Sequence, residues 1–135
     1  MTVRDRLSEL EVLFSIFDNP KDKFVQLMDM AKDLDPLAEN EKIKKNQIYG
    51  CSSQAWVVVK KNLNATYSLQ IDSDALIVKG LLVILQKIFE KQTADEILSV
   101  KPNDILQSLG LDGIVTTQRT NGFSSALEKI QRVVN

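Results

Sequence analysis

The chain has 135 residues, a hydrophobic fraction of 44% and a charged fraction of 26%, so it is sized and composed for one globular domain (residues 1–135) with its own core. Seventeen basic residues against eighteen acidic ones leave a net charge of −1, which provides no long-range field for nucleic acid or an anionic membrane. Histidine is absent and cysteine occurs once, at Cys51, which excludes His-based triads and dyads, His-ligated metals, an internal disulfide and a CxxC redox pair.

Near the start, Val3, Leu7, Leu10, Phe14 and Phe17 recur at helical spacing, predicting an amphipathic helix that stops near Asp18. Asn19 then serves as an N-cap with Pro20 at the first helical position and Asp22 in the first turn. Phe24, Leu27, Met28, Ala31 and Leu34 form the apolar face of this second helix, which Asp35-Pro36 ends. The two helices, with their short link, predict a helical hairpin. Residues 37–45 read as a polar connection.

The period then changes to two. Residues 66–72 alternate strictly, with Tyr67, Leu69 and Ile71 on one face, and residues 55–60 are rich in β-branched and aromatic side chains, as in a strand buried on both faces. Asn62-Leu63-Asn64 suits the turn between them, and Lys45 to Tyr49 is predicted as a third short strand. A helix capped by Ser73 or Asp74 follows from Ala75 to about Phe89, apolar on nearly every side and placed against the sheet. Thr93 and Glu96 have capping-box spacing, Pro102 opens a further helix and Gly110 closes it. A last helix is expected from near Asn121, burying Phe123, Leu127, Ile130 and Val134. The predicted fold class is α+β: a small three-stranded antiparallel sheet packed against helices.

The most apolar window, 75–89, contains Lys79, Gly80, Gln86 and Lys87 and falls short of the roughly twenty residues that a membrane span needs. The amino-terminal residues lack the apolar core of a signal peptide. Both point to a soluble protein of the reducing cytoplasm.

Cys51 is the one strong nucleophile, set in a small polar stretch, Gly50-Cys51-Ser52-Ser53, between two strand-like segments. A thiol on such a loop can reach a partner's surface, and Gly50 allows a tight backbone path; a buried cysteine acting as a small hydrophobe is the alternative. With no imidazole in the chain, a lowered thiol pKa must come from Arg, Lys, backbone N–H groups or a partner. Arg119 is either a cation that holds an anion or the loop by charge-assisted hydrogen bonds, or a solvated arginine at a helix start. Asp74 is either a loop or partner contact or a plain helix cap. Gln54 is either bound to loop backbone or exposed. Trp56, Val58 and the run 81–85 read as core. Lys44-Lys45 and Lys60-Lys61 read as solvated strand ends or a docking rim.

Gly50-Cys51-Ser52-Ser53-Gln54-Ala55-Trp56 resembles the Gly-Cys-x-Ser-x-x-Trp signature of the SufE/CsdE cysteine-desulfuration proteins. The segment 72–81 is similar to that family's Ser-Asp-Ala-x-Ile-Val-Lys-Gly-Leu block, and Arg119-Thr120-Asn121-Gly122 to its Arg-Ser-x-Gly block. Ser52, Ala55 and Thr120 stand where the family usually has Gln, Val and Ser. The resemblance implies a SufE/IscU-like fold and a sulfur acceptor with no cofactor of its own, not a turnover enzyme by itself. It implies that Cys51 takes sulfur from a pyridoxal-phosphate cysteine desulfurase (SufS/CsdA-like) as a persulfide and hands it to an iron–sulfur scaffold (SufBCD-like). Gly50, Ser52, Ser53, Gln54, Asp74 and Arg119 would support the loop and partner docking, in a monomer or weak homodimer without metal, nucleic acid or membrane. An iron–sulfur scaffold with ligands from several chains and a non-catalytic interaction module are the alternatives.

Overall fold

A computed structural model describes residues 1–50 and 53–135. Helix α1 (Val3–Ser15) opens on a reciprocal cap: the Thr2 hydroxyl accepts from the Asp5 N–H and the Asp5 carboxylate accepts from the Thr2 N–H. It buries Val3, Leu7, Leu10 and Phe14, and stops before Phe17, which is left half-buried in the turn. Helix α2 (Pro20–Lys32) starts at the Asn19 cap, whose side chain accepts from the Asp22 N–H at 2.9 Å. Its deeply buried face is Leu27, Met30 and Ala31; Met30 lies inside where Met28 was expected, and Met28 is half-buried. Both helices pack on α3 (Leu76–Phe89).

Strand β1 (Ala55–Lys61) pairs antiparallel with β2 (Thr66–Ser73), from Ala55↔Ser73 to Lys61↔Tyr67. The third strand differs from expectation. It is β3 (Gln92–Thr93), antiparallel to Thr66 and Tyr67 on the far side of β2. The predicted strand at 45–49 is instead a short 3-10 turn, Lys44–Asn46, followed by a single bridge, Gln47↔Trp56. The Asn46 side-chain amide donates to the Glu41 carbonyl at 2.8 Å and holds the chain in that turn. A two-residue strand such as β3 is too short to show any alternation.

Helix α3 is buried on nearly every side and underlies the sheet. Gly80 makes its contact with α2 possible: a Cβ there would lie 2.3 Å from the Leu27 carbonyl oxygen. Helix α4 (Ala94–Leu98) is capped by Thr93, but Glu96 does not close the box; its carboxylate accepts from the Val3 N–H at 2.8 Å and so caps α1 from across the molecule. Helix α5 (Pro102–Ser108) leads to Gly110, left-handed at φ +66°. Helix α6 (Thr117–Val134) begins four residues before the expected Asn121, because Thr116 caps it by accepting from the Arg119 N–H; Gly122 falls inside it, buried. The fold is α+β, with six helices and a three-stranded antiparallel sheet among the described residues.

Ala55 and Val57 face the main core beside Leu69 and Ile71. Trp56 and Val58 point to the opposite face, where Leu37 covers them in a small cluster of their own. Strand β1 is thus buried on both faces over Ala55–Val58, the second cover being the connection between α2 and β1.

Candidate functional site around the Cys51 segment

Cys51 and Ser52 lie outside the described residues, so the assignments made to them are carried by their flanks. On the amino-terminal side, the Ile48 N–H donates to the Ala55 carbonyl at 2.8 Å, which brings the chain back alongside the start of β1. The Lys129 ammonium of α6 donates to the Lys45 carbonyl at 2.8 Å. Gly50 then sits at φ +86°, where a Cβ would lie 3.1 Å from the Ser125 hydroxyl. Lys45 beside Lys129 and Gly50 beside Ser125 show the chain running along α6 toward its first turn. A left-handed backbone against a helix requires glycine here.

On the carboxyl-terminal side the contacts are polar. The Gln54 N–H donates to Asp74 Oδ1 at 3.0 Å, while the Gln54 carbonyl accepts from the Asp74 N–H at 3.1 Å and from the Ser73 hydroxyl at 2.8 Å. Gln54 is therefore held through its own backbone while the residue itself is exposed. Asp74 and Ser73, expected as caps, do not cap α3 in that sense: the N-cap is Ala75, without a side-chain cap bond. Their polar groups hold Gln54, and the Ser73 hydroxyl also accepts from the Ala75 N–H at 3.2 Å. Beside this anchor opens a cleft of about 410 Å³ lined by Glu39, Lys42, Gln54, Trp56, Ser73 and Asp74.

Behind the anchor lies a charge that sequence reading did not single out. Asp72 is 4% exposed, on the Trp56 face of the sheet, directly across from Trp56 in register. Its carboxylate accepts from the Leu37 N–H at 2.9 Å and the Ser73 N–H at 2.8 Å, and pairs with Lys79 at 3.4 Å and Lys42 at 3.5 Å. Burial by itself would raise this carboxyl, but the Leu37 and Ser73 amides and the two ammonium groups outweigh it and hold it below the ordinary carboxylate value. Lys79, itself buried, also donates to the Leu34 carbonyl at 3.2 Å. The Glu39 carboxylate, bound to Lys42, and Asp72 beyond it raise the Lys42 ammonium above its usual value. That ammonium stands 5.4 Å from the Trp56 ring centre. The available signal was Lys79 itself, since a lysine inside an otherwise apolar helix needs an acidic partner.

Arg119 is half-buried in the first turn of α6, six residues and roughly 9 Å of helix axis before Ser125. It therefore lies ahead of the point where Gly50 meets that helix. Lys44, Lys45, Lys60 and Lys61 are exposed. Among the described residues no group of three His, Cys, Asp or Glu side chains comes together as a metal site, and no helix is long and apolar enough to cross a membrane.

Residues 8–134 match the family model described as SufE, the Fe-S metabolism associated domain. The chain belongs to the SufE family. It is 34% identical over 127 residues to SufE-like protein 1, chloroplastic/mitochondrial, of Arabidopsis thaliana, spanning 94% of this chain and 34% of that protein. It is 31% identical over 121 residues to an uncharacterized SufE-like protein of Rhizobium etli, spanning 87% of this chain and 82% of that one. The SufE domain here thus spans about a third of the plant relative's length and most of the rhizobial one's. The solution structure of a hypothetical protein from Thermus thermophilus has the same fold, with a TM-score of 0.77, 20% identity and coverage of 96% of this chain and 93% of that one. Family membership ties the protein to iron–sulfur metabolism.

Proposed function

We propose that this SufE-family protein is a sulfur acceptor that works on a single thiol. The Cys51 thiolate attacks the outer sulfur of a persulfide held by a cysteine desulfurase. A new S–S bond forms on Cys51 as the S–S bond of the desulfurase breaks, and the desulfurase cysteine leaves as thiolate. Sulfur changes carrier without net oxidation, so the step needs no metal, cofactor or internal base in this chain. Pyridoxal phosphate belongs to the desulfurase. The lone cysteine suits a carrier, since a second thiol nearby would resolve the persulfide to a disulfide and release sulfide. An iron–sulfur scaffold complex is the onward recipient, and a reducing compartment, the cytoplasm, keeps the thiol free.

The observation that carries this reading is the Gly50-to-Trp56 signature in a SufE-family chain, with its only cysteine between two anchored flanks. Gly50, Ser53, Gln54 and Asp74 shape the segment, Ser52 is part of it, and Arg119 is the cation that would receive the persulfide anion. The test is intact mass after incubation with a cysteine desulfurase and L-cysteine. The expected result is a gain of one sulfur, about 32 Da, that reductant removes and Cys51→Ser abolishes. No adduct on the wild-type protein overturns the reading.

A further inference from the structure

The β1–β2 ladder ends at the pair Ala55↔Ser73, so Gln54 lies just past it and depends on Ser73 and Asp74 for its fixed place. What fixes Ser73 and Asp74 is the carboxylate one residue earlier. Asp72 Oδ1 accepts from the Ser73 N–H and so fixes the 72–73 peptide, which leads directly into the Ser73 hydroxyl and the Asp74 N–H that reach the Gln54 carbonyl. Its other donors come from different parts of the chain: the Leu37 N–H and Lys42 from the connection over the sheet, and Lys79 from α3.

A buried ion pair adds little net stability over apolar side chains of the same volume, because desolvation offsets most of the attraction. What a carboxylate with several fixed donors does supply is direction, each donor occupying a defined lone pair. An apolar residue would serve the sheet's covered face equally well. It could not aim the backbone beyond the end of the ladder.

We propose that Asp72 is a positioning residue for the Cys51 reaction: held by Lys79 and Lys42, it fixes the Ser73–Asp74 backbone that clamps Gln54, and with it the point where the cysteine-bearing segment joins the sheet. Its functional consequence rests on the sulfur-acceptor reading. Its structural half, the clamp on Gln54, does not.

Two measurements on Asp72→Asn test it, the variant keeping the shape while turning one acceptor into a donor and removing the charge. Hydrogen exchange at the Gln54 amide is compared with the Leu127 amide in the buried face of α6, and persulfide formation on Cys51 is followed against desulfurase concentration. Exchange at Gln54 is expected to rise about tenfold beyond any change at Leu127. Maximal persulfide formation is expected to fall several-fold, with the half-saturating desulfurase concentration little changed. Lys42→Gln, which removes the more exposed counter-ion, should shift both readings the same way by less, and it decides the matter if Asp72→Asn does not fold. Equal changes at Gln54 and Leu127, with unaltered persulfide formation per folded molecule, would make Asp72 a stabilising group and overturn the proposal. If wild-type protein forms no persulfide the acceptor reading fails, while Gln54 exchange still decides whether Asp72 sets the clamp.

Discussion

Gly50 is held by shape: a left-handed backbone seated against Ser125 of α6, with the neighbouring Ile48 N–H on the Ala55 carbonyl. Gln54 is held by polar groups: one hydroxyl, one carboxylate and one amide, all standing on the buried charges of Asp72 and Lys79 and on the half-buried Lys42. Van der Waals fit and backbone conformation are indifferent to pH and salt, whereas the second support depends on ionisation. A segment gripped in these two ways can be loosened at one end while the other stays in place. If the protein is the sulfur acceptor proposed above, that asymmetry makes the Gln54 flank the one that acid or salt would loosen first.

Three perturbations would break or sharpen this contrast. The largest is Gly80→Ala, which should erase it. The new Cβ would fall 2.3 Å from the Leu27 carbonyl oxygen, and backbone cannot move aside as a flexible side chain can. Helix α3 must then lift from α2, carrying Lys79 away from Leu34, and the whole domain should lose about 3 kcal/mol, read from the denaturant midpoint. An unchanged midpoint would mean that the two helices are not in such close contact.

Gly50→Ala acts on the shape-held end alone. The strain of a left-handed alanine, with its Cβ 3.1 Å from the Ser125 hydroxyl, should lower stability by about 1–2 kcal/mol. Because no charge is involved, the loss should be the same at neutral and mildly acidic pH in paired melting curves. A loss confined to one pH would tie Gly50 to the ionic side after all.

The smallest effect is acidification, confined to the other end. The folded Asp72 carboxyl lies below its ordinary value of 3.8, so its contribution is complete above that value and is lost as pH falls through the lower folded value. Lys79 and Lys42 would then face a neutral carboxyl, and the ionic part of their hold on Asp72 would be gone. Amide protection at Gln54 should therefore decline in acid ahead of protection at Ile48. Parallel decline would show that both ends share one support.

Much of this was legible from side-chain pattern. The spacing of Val3, Leu7, Leu10 and Phe14, the Asn19-Pro20 start and the alternation of Tyr67, Leu69 and Ile71 all report burial on one face, and each led to a real element. The errors arose where hydrogen bonds, not burial, decide structure. Asn46 bonds the Glu41 carbonyl and turns a stretch that read as a strand; Thr116 captures the Arg119 amide and starts α6 early; Ser73 and Asp74 spend their cap-like side chains on Gln54. Asp72 was hidden because its alternation with Ile71 puts it on the face that reads as solvent, and only the connection through Leu37 converts that face to interior. The signature around Cys51 was readable because it is local in sequence. Of its supports, Asp74 was named through the family resemblance, whereas Ser125 was not, since only the fold brings α6 to Gly50.

The absence of a side chain at Gly80 has a mechanical meaning as well. With α3 riding directly on the backbone of Leu27, helices α2 and α3 cannot slide past each other, and Lys79 and Asp72 rivet Leu34 and Leu37 to the same block. Beyond Leu37 the chain runs in short turns toward Gln47, and Lys42 ties it back to that block through Asp72. A force applied near Trp56 would thus pass through its neighbour Asp72 to Lys79 and be carried by the helices beneath.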